Sequence, residues 1–69
     1  MDPKQQIAEA FKTALAEFPN LADVHDALAG RLNEAGMIVK QLSVVRFGDG
    51  SHVVFVSNDG EGISVEISP

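Results

Sequence analysis

The chain has 69 residues, 45% of them apolar, no cysteine and a formal net charge of -5. That length allows one domain, residues 1–69, with a small core, and the missing cysteines exclude disulfides and thiolate metal sites. Ten acidic residues face only Lys4, Lys12, Arg31, Lys40 and Arg46, scattered along the chain, so no basic face is available for nucleic acid or an anionic membrane.

The first residues, Met1-Asp2-Pro3-Lys4-Gln5-Gln6, hold no basic leader followed by an apolar stretch. No later run approaches the ~18 apolar residues of a membrane span. A cytoplasmic location is the expectation. Asp2 is a good N-cap, Pro3 suits the first helical position and Gln5 can complete a capping box. Ile7, Phe11, Ala14, Leu15 and Phe18 then recur at spacings of three and four, which predicts a helix over about residues 3–18. Pro19 ends it.

Asn20 is the next N-cap. Leu21, Val24, Leu28, Leu32 and Ala35 predict a second helix over about residues 21–35. Gly36 is placed to end it in a left-handed conformation. The two helices would form a short antiparallel hairpin. Gly30 inside the second costs about 1 kcal/mol relative to alanine. Either it is a tolerated weak spot or it permits close packing.

From Met37 the apolar period becomes two, and strands are expected at about residues 38–47, 52–57 and 63–67. Gly48-Asp49-Gly50-Ser51 and Asn58-Asp59-Gly60-Glu61-Gly62 are turn-rich, so the strands form an antiparallel meander. The first strand is about twice the usual length. It is either kinked or bulged near Lys40-Gln41, or unpaired along its early part. The fold class is α+β: a helix hairpin packed on one face of a three-stranded antiparallel meander, in the order ααβββ.

Turns centred on their Asp-Gly pairs would set Phe47 opposite His52, Val45 opposite Val54 and Val56 opposite Ile63. Directly opposed residues share a face. The core face then carries Val45, Phe47, Val54, Val56, Ile63 and Val65. The second face carries Leu42, Val44, Val53 and Phe55, with Arg46 and Glu66 at its rim. A three-residue first turn with a glycine bulge would instead flip the first strand. In either case Val53-Val54-Phe55-Val56 is apolar on both sides, although two helices can cover only one face.

Little in the chain suggests catalysis. His25, between Asp23 and Asp26, reads as a solvated helix residue, and His52 begins a strand. Two distant histidines do not make the three or four converging ligands of a zinc site. The Asp-Gly turns lack the alternating ligands of a calcium loop. No serine sits in a nucleophile elbow, and no phosphate or dinucleotide loop is present. The expectations are no enzyme, no metal, no cofactor and no small-molecule ligand. Phe11, Phe18, Phe47 and Phe55 are the only aromatics, a poor supply for base stacking.

The leading expectation is a protein-binding module. It would form a homodimer, or meet another protein, through Leu42, Val44, Arg46, Val53, Phe55 and Glu66, with Arg46 and Glu66 flanking Val53 and pairing reciprocally. A second reading is an acidic inhibitor or adaptor, of accessory or phage type. It would present Glu9, Glu17, Asp23, Asp26 and Glu34 to a basic surface of a larger protein. A remote third is a helix-turn-helix DNA binder using Arg31 and Asn33, against the repulsion of Asp23, Asp26 and Glu34.

Overall fold

The structure is a computed structural model that describes residues 2–58 and 61–69. Its elements run α1 (Pro3–Glu17), α2 (Leu21–Glu34), β1 (Gln41–Arg46), β2 (His52–Asn58) and β3 (Glu61–Ile67). The sheet order is β1-β2-β3, antiparallel throughout. The helices cover one face, α1 over β3 and α2 over β1. This is the ααβββ arrangement expected from the change of period at Met37.

Each helix is bounded by local chemistry. Asp2 accepts a hydrogen bond from the Lys4 amide at 3.0 Å, and Asn20 accepts one from the Ala22 amide at 2.8 Å. Both satisfy amides that have no partner within a helix. Past α2, Gly36 takes φ +90°. The Met37 amide then donates to the Leu32 carbonyl at 2.9 Å and the Gly36 amide to the Asn33 carbonyl at 3.0 Å. These two bonds make a Schellman motif, which turns the chain back toward the sheet.

The core is Ile7, Phe11, Ala14, Val24, Leu28 and Leu32 from the helices, against Val54, Val56, Val65 and Ile67 from the sheet. Burying such side chains stabilises by about 1.5–3 kcal/mol each, enough to offset chain entropy only when nearly all are placed together. The accessible surface is 4345 Å². A compact monomer of this mass exposes about 4,200 Å², so the single chain is as compact as its size predicts.

Between α2 and β1 the chain belongs to neither a helix nor a strand. Met37 and Val39 pack against the core from this connection, whereas Ile38 is exposed. β1 is therefore six residues long rather than ten. The Lys40 amide still donates to the Ser57 carbonyl at 2.8 Å, while Gln41 is the residue paired with Ser57. Two residues thus face one, as in a bulge. The reading of a turn centred on Asp59-Gly60 lies outside the described residues.

The first hairpin departs from an Asp-Gly-centred turn. The observed pairs are Arg46 with His52, Val45 with Val53 and Val44 with Val54, one residue away from that register. The loop explains the shift. The Gly50 amide donates to the Phe47 carbonyl at 3.1 Å, Gly50 has φ +90°, and the Phe47 amide donates to the Ser51 carbonyl at 2.9 Å. This is a type I turn followed by a left-handed glycine, the three-residue loop with a bulge. Asp49 braces it by accepting from the Ser51 amide at 2.9 Å and the Ser51 hydroxyl at 2.6 Å. The second hairpin keeps the expected register, with Val56 opposite Ile63.

Two outcomes test this account. A Cβ built on Gly30 meets nothing within 4 Å, so no packing reason for the glycine exists. Gly30→Ala should stabilise the domain by about 1 kcal/mol and raise its melting temperature by about 4–8 °C; an unchanged or lower melting temperature contradicts this. The hydroxyl and amide of Ser51 also hold the Asp49 carboxylate below the usual range. That support is present above the ordinary carboxylate pKa and is lost as pH falls through the lowered one. In an NMR titration, Ser51→Ala should move the Asp49 midpoint upward.

Candidate functional site

The one-residue shift redistributes the side chains of β1. Leu42 and Val44 now face the helices and pack against the core. Arg46 lies on the same side, opposite His52, where its Nε donates to His52 Nε2 at 3.3 Å. Leu42, Val44 and Arg46 are therefore corrected out of the second face. Val45 and Phe47, expected in the core, are 49% and 48% exposed. Of the expected surface residues, the structure keeps Val53, Phe55 and Glu66 together. Arg46 and Glu66 do not flank Val53, because they lie on opposite faces; Val45 stands where Arg46 was expected.

The open face is thus built in rows. Val45, Val53 and Glu66 form one, and Ser43, Phe55 and Ser64 the next. Phe47 continues the parity of β1 beyond Val45. The result is an apolar diagonal, Phe47–Val45–Val53–Phe55, bordered by Ser43, Ser64 and Glu66. Four such side chains on one side of a small sheet are a contiguous patch rather than scattered exposure. A shallow cavity of about 360 Å³ opens at the turn end of this face, lined by Phe47, Val53 and Glu66 among others.

Phe55 has a particular seat. A Cβ built on Gly62 would lie 2.7 Å from the Phe55 Cζ and 2.8 Å from its Cε1. The ring therefore rests over the glycine of the neighbouring strand, where any side chain would push it away. An aromatic covering a strand glycine shields backbone that the glycine leaves bare. The ring lies down along the sheet instead of standing off it, which flattens the patch.

Neither histidine is a solvated surface group. His52 is 5% exposed and its ring lies 5.1 Å from that of Phe11. Because Nε2 accepts from Arg46, the neutral ring carries its proton on Nδ1. His25 is half-buried, and its Nε2 lies 2.8 Å from the Leu42 carbonyl, to which it donates. Its Nδ1 is 3.7 Å from Asp26. The two imidazoles serve packing between layers, and sequence spacing gave no sign of this because both contacts cross from helix to sheet.

Among the described residues no group of three or more His, Asp or Glu side chains could hold a metal ion, and no helix is long and apolar enough to cross a membrane. On the helices, Glu9, Asp23, Asp26 and Glu34 are exposed. Glu17 is engaged with Arg31 Nη2, which also occupies the one helix arginine considered for phosphate. No protein-family model matches the chain, and the curated proteins and solved structures compared with it give no match.

The seat of Phe55 has a direct signature. The Gly62 α-protons should be shifted upfield by the ring current of Phe55, and Phe55→Leu should return them to ordinary glycine values. Unshifted protons in the wild type would contradict the stacked ring.

Proposed function

We propose that this protein is a non-enzymatic interaction module that associates with a second copy of itself through the open face of its sheet. The observation that carries the reading is the apolar diagonal Phe47–Val45–Val53–Phe55 on a folded domain whose total surface is already that of a compact monomer. The core needs nothing more, so these side chains serve no purpose in closing the fold. An apolar centre with a polar border is the general build of a protein interface, and Ser43, Ser64 and Glu66 supply the border. Glu66 is the one charged side chain in the two rows and lies exposed on the edge strand, where its carboxylate can stay hydrated at the rim. Sheets stacked face to face, about 10 Å apart, interdigitate such side chains.

The test is sedimentation over a concentration series at low and high salt. Association should persist in high salt, because apolar burial is not screened. Val45→Lys and Phe55→Lys should each reduce the sedimenting mass by half or more while the far-ultraviolet circular dichroism is unchanged. A folded variant with wild-type mass would overturn the reading. Loss of association in high salt alone would favour binding through the helix carboxylates instead.

A further inference from the structure

The two edges of the sheet differ. In an antiparallel ladder, residues alternate between directing their backbone groups to the neighbour and away from it. The bond from the Phe47 amide to the Ser51 carbonyl sets that alternation. Leu42, Val44 and Arg46 turn their backbone groups outward on β1, and Gly62, Ser64 and Glu66 do so on β3. On β1 the Leu42 carbonyl is taken by His25, the strand is short, and it is irregular at Lys40-Gln41. On β3 seven consecutive residues pair regularly with β2, and the strand contains no proline, lysine or bulge. Those are among the usual devices that blunt an edge; the charges β3 does carry are Glu61 and Glu66. The β1 edge is thus occupied at one acceptor and irregular at one end, whereas β3 pairs regularly along its whole length and leaves its outer edge open.

We propose that a second copy of this chain pairs antiparallel with the open edge of β3, about a two-fold axis at Ser64, with Glu61 of each copy meeting Lys12 of the other. Centring on Ser64 sets Gly62 opposite Glu66 and Glu61 opposite Ile67, so no carboxylate opposes another. About six backbone hydrogen bonds form. Glu61 and Ile67 share the parity of Val65 and face the helices. There Ile67 lines one cavity with Lys12 and Leu15. A Glu61 arriving beside Ile67 therefore finds Lys12. The flank of α1 involved is the outer one: Ala8, Lys12 and Leu15 lie on the stripe opposite Glu17, which bridges to α2.

Area supports a second copy over a lone peptide. Three strands about 4.8 Å apart and about 20 Å long present an open face of about 300 Å² in projection. Stable interfaces bury about 800 Å² per partner. Edge pairing joins two open faces into one six-stranded face of twice that extent. A lone peptide on that edge would add one strand and nothing else, whereas a copy of the domain also brings the flank of α1 with Lys12 to the joint.

Three measurements on the full chain decide the matter. The Ser64 amide points out of the ladder, so Ser64→Pro leaves the monomer fold intact, which circular dichroism checks. Folded Ser64→Pro should sediment at half the wild-type mass or less. Lys12→Glu and Glu61→Lys should each weaken association about tenfold, and the double variant should restore it. In the assembled wild type, the amides of Gly62, Ser64 and Glu66 should exchange hydrogen at least tenfold more slowly than in Ser64→Pro's flanking positions. Free exchange at those three amides in the assembled protein, wild-type mass in folded Ser64→Pro, or a monomeric wild type would each overturn the proposal. A dimer dissolved by Val45→Lys but untouched by Ser64→Pro would leave the open-face reading standing and remove only the edge pairing.

Discussion

The conformation of the loop between β1 and β2 governs the distribution of side chains throughout the sheet. Gly50 occupies a left-handed conformation that a residue with a Cβ rarely adopts, and this adds one residue to the turn. Strand side chains alternate with a period of two, so a single added residue exchanges the faces of an entire strand. Leu42 and Val44 thereby enter the core and Val45 and Phe47 leave it. The carboxylate of Asp49, held by Ser51, keeps the loop in this form. A few polar contacts at the tip of one hairpin thus determine what lies inside the domain and what lies on its surface.

Either register turns two apolar β1 residues toward the helices, Leu42 and Val44 in one and Val45 and Phe47 in the other. What separates them is the end of the sheet near His52. The observed register sets Arg46 beside His52, where the guanidinium meets a ring nitrogen, and the imidazole rests against Phe11. The other register would have brought Phe47 there and left Arg46 on the far face. A buried imidazole without a donor for its acceptor nitrogen is costly, and Arg46 meets that need from the solvent edge. Polar satisfaction at one end of the sheet therefore agrees with the turn geometry at its tip.

Much of this architecture can be read from the residues themselves. The helix stripes through Ile7, Phe11 and Ala14 and through Val24, Leu28 and Leu32 are periodic enough to place both helices and their buried sides. Asp2, Asn20 and Gly36 mark ends by chemistry that acts within a few residues. The parity of β1 is different in kind, because Gly48-Asp49-Gly50 suits both a two-residue and a three-residue loop. Val53, Phe55 and Glu66 keep the face read from an Asp-Gly-centred turn because they belong to β2 and β3, whose pairing does not depend on the ambiguous loop. The seat of Phe55 over Gly62 and the contacts of both histidines are invisible in the sequence, since they join residues that only the fold brings together.

The hydrogen bond from His25 to the Leu42 carbonyl has a consequence for how the chain avoids fibres. A sheet with two receptive edges can recruit copies from both sides without end, which is the geometry of amyloid growth. Here a helix side chain occupies one acceptor that an incoming strand would need, which disfavours growth in that direction. A sheet doubled through β3 would present this obstacle at both of its outer edges.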